Sequence, residues 1–327
     1  MSRSEHDQAP TVVIGVPTYR RPSDLRRLLH ALGPVIAHAT DAGAAARVDV
    51  LVVDNDPDAS ARAVVAEVDP TFAWVHEPEP GVAAARNRVL AESDGRDVLV
   101  FIDDDESPAA DSWLTRLLET RGAFSAHVVS GPVVTVVDGG LDPWIEAGGF
   151  FARRHRADVP TGSPIERAAT NNLLLDLAFV RAAGIRFDPR FGRTGGEDSL
   201  FTSQLHRAGA HMVWCADALV RDHLPAARQT RAHALARMRG MAAAGVRVGI
   251  VMAPTRARRA AFRARATLAG TARIGAGAAR TAAGAVVRSV RLDATGRRDI
   301  MRGIGGLEGA AGHVRIQYGD LQEGPPR

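Results

Sequence analysis

No lysine occurs among the 327 residues, so all 41 basic side chains are arginines. That removes the usual point-charge binder of a nucleoside triphosphate. Cysteine occurs once, as Cys215, which excludes an internal disulfide framework and a multi-cysteine metal site and fits a reducing compartment. No run approaches the ~18 consecutive apolar residues of a spanning helix. The longest candidate, "GVRVGIVMAP" at 245–254, is short and contains an arginine. The opening "MSRSEHDQAP" lacks the apolar centre of a signal peptide, so no secretory leader is expected.

Hydrophobic residues make up 46% and charged residues 24%, ordinary values for a soluble globular chain. The length suggests two domains, or one large domain with an appendage. Charge is divided unevenly. Residues 1–224 hold 22 arginines against 32 acids, whereas residues 225–327 hold 19 against five. An acidic body followed by a basic tail implies two tasks in one chain.

Between residues 11 and 122 apolar runs alternate between strand and helix character. "TVVIGV" (11–16), "VDVLVVD" (48–54), "FAWVHE" (72–77) and "VLVFI" (98–102) read as strands. "LRRLLHAL" (capped by Ser23), "ASARAVVAEV", "VAAARNRVLAES" and residues 112–121 read as helices. Such alternation implies an α/β fold with a parallel sheet and right-handed crossovers, whose ligands bind beyond the carboxyl ends of the strands. Beyond residue 122, "HVVSGPVVTVV" (127–137) reads as one long strand and "ATNNLLLD" (169–176) as another. "HMVWCADALV" (211–220) reads as a strand pair or one bent strand. Residues 143–151 read as an aromatic loop, and the segment after Gln229 as helix interrupted by glycine. The expected division is a disordered stretch at 1–10, a catalytic domain at 11–228 and an Arg/Ala-rich helical region at 229–327.

Chemistry concentrates in a few places. Asp103, Asp104, Asp105 and Glu106 follow a strand directly. Adjacent like charges repel, so such a run persists most readily beside a cation. The Asp-x-Asp spacing of Asp103 and Asp105 turns alternate side chains the same way on a strand end. Asp54 ends another strand on the same rim. Glu197 and Asp198 follow Gly195 and Gly196 at the start of a helix, where the dipole favours carboxylates. Trp144, Phe150 and Phe151 surround a Gly-Gly pair, a composition suited to stacking on sugar faces, with packing onto the core as the alternative.

Taken in order, "VPTYRR", "VVDND", "AARNRVL", "FIDDDE", "GPV", "DPW", "GGFF", "GGEDSLF" and "RDH" resemble the inverting family 2 glycosyltransferases of GT-A fold. They are most similar to the bacterial exopolysaccharide branch with its succinoglycan-type glucosyltransferases. The resemblance covers about residues 11–245. It implies a nucleotide-sugar-binding sheet merged with an acceptor-binding half, and direct displacement of a nucleoside diphosphate from the sugar.

It also implies roles residue by residue. Pro17, Thr18 and Tyr19 would cradle the base, with Asp54 or Asn55 bonded to its uracil edge. Arg86 would lie near the diphosphate. Asp103 would serve ribose and metal, with Asp104 beside it at the nucleotide sugar. Asp105 and His223 would complete the shell of a Mn²⁺ or Mg²⁺ ion. Asp198 would be the general base and Glu197 its neighbour orienting acceptor or base; Trp144, Phe150 and Phe151 would face the acceptor. The implied donor is a UDP-sugar, UDP-glucose by default, and the acceptor a glycan or lipid-linked oligosaccharide. The basic tail would dock on an anionic membrane, placing the chain in the cytoplasm at the inner face of the cell membrane.

Two other readings use parts of the same pattern. A sugar nucleotidyltransferase would share the sheet and metal, but its first loop is normally glycine-rich and basic, and "VPTYRRP" has no glycine after Gly15. A nucleic-acid-binding protein would use the arginine-rich tail electrostatically. That tail lacks interleaved aromatics and any zinc or basic-zipper pattern, so no nucleic-acid partner is expected.

Overall fold

The structure, a computed structural model, describes residues 9–152 and 158–313. The disordered stretch expected at 1–10 therefore lies, up to residue 8, outside the described residues. The chain divides into two compact units, one of residues 1–134, 153–189 and 201–223, the other of residues 135–152, 190–200 and 224–327.

In the first unit, β1 (Thr11–Thr18), α1 (Pro22–Asp41), β2 (Arg47–Asp54), α2 (Ala61–Val68), β3 (Ala73–His76), α3 (Val82–Glu92) and β4 (Val98–Phe101) follow one another. β1 pairs in parallel with β2 and β4, and β2 with β3. After β5 (Glu106–Pro108) and α4 (Trp113–Phe124), the chain adds β6 (Val128–Ser130). The expected long strand over 127–137 is broken at Gly131-Pro132, where proline can donate no ladder hydrogen bond, and a separate β7 (Val133–Val136) follows. β8 (Leu173–Asp176) runs antiparallel to both β4 and β6, and α6 (Leu177–Ala183) follows it. A 3-10 turn over Thr170–Asn172 takes the first part of the strand expected at 169–176. With β9 (Met212–Trp214) the sheet has the order β3-β2-β1-β4-β8-β6-β9.

Period-2 burial sorts the strand residues to two faces. Val12, Ile14, Val16, Val98, Val100 and Leu174 meet the helical residues Leu28, Leu32 and Trp113 on one side. Val13, Leu99, Phe101, Leu173 and Leu175 meet Val89, Phe187 and Phe201 on the other. Both faces being covered explains why these strands are almost wholly apolar. β10 (Val220–His223) stands apart from this sheet and pairs antiparallel with β5, setting Asp222 opposite Glu106. Residues 211–220 thus form two strands of different sheets, β9 and the start of β10.

The second unit is helical. α5 (Pro143–Gly148) replaces the expected aromatic loop: Asp142 accepts from the Trp144 N–H and proline fills the first helical position. The first turn of α7 (Glu197–Arg207) belongs here, as do α8 (Arg231–Met252), α9 (Arg256–Val286) and α10 (Val290–Ala311). Glycine does not interrupt these helices. Gly270, Gly277 and Gly284 recur every seven residues on α9, and Gly296 and Gly303 answer them on α10. A β-carbon on Gly277 would come within 2.7 Å of the Gly296 carbonyl oxygen, and one on Gly303 within 2.6 Å of the Gly270 carbonyl oxygen. The two backbones touch because neither carries a side chain there.

Candidate active site

The acid run does not continue the strand. β4 ends at Phe101, Ile102 is buried, and the chain turns before β5 begins at Glu106. The turn separates the acids. Asp104 faces inward, where its carboxylate accepts from Thr18 Oγ1 at 2.7 Å and Arg21 Nη1 at 2.8 Å. The same Arg21 nitrogen reaches Asp105 Oδ2 at 2.7 Å. Asp103 stays partly exposed and pairs with Arg86 Nη2 at 3.2 Å. Glu106 is buried, receives Asn171 Nδ2 at 2.6 Å and accepts from the Asp103 N–H at 3.3 Å.

Burial is the largest influence on Asp104 and pushes its carboxyl up to about 6; Asp105 and Asp103 add to this, while Arg21 and Thr18 oppose it. Burial works against the Arg21 charge as well, but Asp104 and Asp105 outweigh it and hold the guanidinium above its ordinary range. One arginine thus serves two carboxylates, an arrangement rich in negative charge.

Register brings histidine to the same place. The β5–β10 ladder ends where His223 N–H donates to the Asp105 carbonyl at 3.0 Å, and His223 Nε2 lies 2.8 Å from Ser107 Oγ. Asp103, Asp105 and His223 are therefore neighbours across a turn and a strand end. Their side chains are not gathered into a preformed cluster: among the described residues no group of three or more His, Cys, Asp or Glu is arranged to hold an ion. The donor types, two carboxylates and an imidazole beside a charge-rich turn, fit a hard divalent cation.

Two expected base contacts meet a different arrangement. Asp54 is fully buried; Oδ1 accepts from the Asp56 N–H at 3.1 Å, and Oδ2 accepts from the Ala61 N–H at 2.8 Å, at the start of α2. Asn55 spends its amide on the Glu77 and Glu79 carbonyls and its oxygen on the Gly81 N–H. Both shape the loop after β2. Pro17 and Thr18 are buried at the end of β1, and Tyr19 is partly exposed under the Arg20 guanidinium, 5.3 Å from its ring centre.

In the second unit, Gly195 and Gly196 take φ of +75° and +95°, which a side chain rarely permits. A β-carbon on Gly196 would also press on Ala244 and Val248 of α8 at 3.2 Å. The pair turns the chain into α7. Glu197 is 3% exposed. Asp198 is partly exposed, and its Oδ1 accepts from the Ser199 N–H at 2.5 Å. Arg247 of α8 fixes the approach to this helix, donating to Thr194 Oγ1 at 2.6 Å and lying 4.4 Å over the Phe191 ring.

The aromatics expected to face the acceptor are packed side chains. Trp144, Phe150 and Phe151 are buried with Ala234, Met238 and Ala294 in a core of α5, α8 and α10 residues. Trp144 stacks on Phe150 at 5.1 Å between ring centres and donates its indole N–H to Asp293 at 2.6 Å.

Arg21, Asn171 and Arg247 were not anticipated. Arg21 stands inside "VPTYRR", and a buried acid run needing a cation is the signal that singles it out. Asn171 and Arg247 act through distant pairings that leave no local pattern.

The Glycosyl transferase family 2 model matches residues 13–176. Succinoglycan biosynthesis protein ExoM of Rhizobium meliloti (strain 1021) is 33% identical over 286 residues, covering 78% of this chain and 89% of that protein. The crystal structure of S. aureus TarS 1–349 aligns with 88% of this chain and 90% of its own at 13% identity and a TM-score of 0.48. The matched segment runs through the parallel strands β1 to β4, the acid turn and β8, which form the nucleotide-sugar sheet of a GT-A fold. The chain belongs to glycosyltransferase family 2.

Proposed function

We propose that the chain transfers a hexose from a UDP-sugar, UDP-glucose by default, to a glycan or lipid-linked oligosaccharide, with inversion, in exopolysaccharide or cell-envelope glycan synthesis. The observation that carries this reading is the acid turn beside His223: a charge-rich rim at the end of a parallel strand, with Arg86 and Arg21 supplying the cations. The likeness to ExoM supports the pathway class. The basic carboxy-terminal region docks the enzyme on the anionic cytoplasmic face of the membrane; among the described residues no helix is long and apolar enough to cross one.

In this reading Asp103, Asp105 and His223 would hold Mn²⁺ or Mg²⁺, which would neutralise charge on the departing diphosphate. Arg86 steadies Asp103 and faces the same phosphates. Thr18 and Arg21 hold Asp104, which shapes the turn from within. Asp198, the more accessible acid of its pair, takes the proton of the acceptor hydroxyl as that oxygen bonds to the anomeric carbon. The bond from that carbon to the phosphate oxygen breaks, and the nucleoside diphosphate leaves. Glu197, buried behind it, orients the base.

Thermal shift with UDP-glucose tests the donor site. With Mn²⁺ the melting temperature should rise, since ligand at 100 times Kd adds about 2.7 kcal/mol. Asp105→Asn should abolish the metal-dependent shift while melting alone near the parent, and Asp198→Asn should keep the shift and lower turnover by about 10² to 10⁴. A metal-dependent shift undiminished in Asp105→Asn removes that residue from the metal site. An α-linked product from the α-linked donor overturns the inverting reading.

A further inference from the structure

Five of the eight large hydrophobic side chains exposed among the described residues lie on one helical hairpin: Phe262, Leu268, Val286, Val287 and Val290. Leu268 is 73% and Val286 83% exposed. These two are eighteen residues apart, five full turns, so they share a face of α9. Leu268 is also two residues from Gly270, and hence on the side away from α10. Between them that side carries only alanine, glycine and threonine, among them the exposed Ala272, Gly275 and Ala279. Arg258 and Arg265 border that side along the same helix, Arg280 turns towards α10 and pairs with Asp299, and α9 has no acidic residue at all. At the end of the hairpin Val287 and Val290 stand exposed around Arg288, beside Val286.

We infer that this hairpin enters the headgroup region of an anionic bilayer, with the three valines of its tip and the Leu268 face inward and the arginines at phosphate level. The inference rests on the membrane-docking reading above and adds an apolar contact to it. An uncharged stripe bordered by cations is the pattern of a helix lying in the membrane interface. Arginine stems cover apolar surface while their heads stay hydrated. Charge decides the occupant. A second copy of this chain seated on the same face would bring seven further α9 arginines against seven, with no α9 acid to meet them, whereas anionic lipid is complementary.

Co-sedimentation of the full-length protein with vesicles tests this, comparing phosphatidylcholine alone with phosphatidylcholine plus phosphatidylglycerol. Binding should require the anionic lipid. Val286→Asp with Val287→Asp should weaken it about tenfold or more, and Val287→Trp should shift its emission to the blue on the same vesicles. These side chains are exposed, so the variants should melt with the parent, and a melting scan checks this. If Arg258→Gln with Arg265→Gln loses binding while the aspartate variant binds like the parent, docking stands and insertion falls. If no vesicle binds the parent, both fall. A dimer in sedimentation velocity that the valine substitutions dissociate assigns the face to a second copy and overturns the inference.

Discussion

Arg21 shows how much one side chain can decide. It sits at the cap position of α1, where a helix more often places Ser, Thr, Asp or Asn, and Pro22 rather than Ser23 opens the helix. Its side chain leaves the helix end and neutralises Asp104 and Asp105. Trp144 decides in the opposite direction, away from the chemistry. Its ring is buried against Phe150, carries the Arg231 guanidinium at 5.1 Å from its centre, and donates to Asp293. Burial works against ionisation of Asp293, but the Trp144 and Arg297 hydrogen bonds outweigh it and hold the carboxyl below its ordinary value. The contact therefore stabilises above the ordinary carboxylate pKa and is lost as pH falls through the lowered one. Trp144→Ala should cost about 3–5 kcal/mol, read as a lower melting temperature, with donor and acceptor KM unchanged while the protein remains folded. An intact melting temperature with a raised acceptor KM would return Trp144 to the sugar site.

At the scale of elements, the parallel half was legible because burial on two faces leaves apolar runs of strand length, and helices between them repeat every 3.6 residues. Strands β1 to β4 and helices α2 to α4 stand within a few residues of where periodicity sets them, whereas α1 runs on to Asp41, well past the expected 25–32, and β5 has no periodic signal. Elsewhere the decisive contacts are tertiary. Asp142-Pro143 is a helix start whose local signal was masked by the glycines after it, and Gly131-Pro132 divides what alternation alone joins. The carboxyl-terminal glycines were the least legible, since glycine lowers helix propensity and reads as a break unless its recurrence every seven residues is matched to a partner helix. That recurrence makes a paired prediction. Gly277→Ala should lower the melting temperature, because its β-carbon meets the Gly296 carbonyl oxygen and Ile300 within 3 Å. Gly275→Ala, two residues away with nothing within 4 Å, should raise stability by up to ~1 kcal/mol through propensity alone. Equal effects at the two sites would mean that the close approach of α9 and α10 contributes nothing.

For the whole molecule, composition suggests an acidic body followed by a basic helical region at 229–327, and the helices of that region share a unit with residues 135–152 and 190–200. α10 supplies Ala294 and Asp293 to the Trp144 core, Arg298 donates to the Gly148 carbonyl, and Glu308 pairs with Arg239 of α8. Gly305 and Gly309 lie so near α8 that added β-carbons would meet the Arg239 and Ala243 carbonyl oxygens. A chain ending at Pro254 would keep the whole family-matched segment 13–176 and still strip this packing from α5 and α8. The aromatic trio would lose its α10 wall, and apolar area taken from the core costs about 25 cal/mol per Å². Such a chain should melt earlier than the full protein, bind a hydrophobic dye more strongly, and show tryptophan emission shifted to the red as Trp144 meets water. Vesicle binding lost in the shortened chain would then report unfolding of the second unit as much as loss of the arginines, so point variants on the exposed face of α9 are the cleaner probe of docking. A shortened chain that melts with the parent and leaves the dye dark would show that α10 is an appendage after all, and that Trp144 is held by α5 and α8 alone.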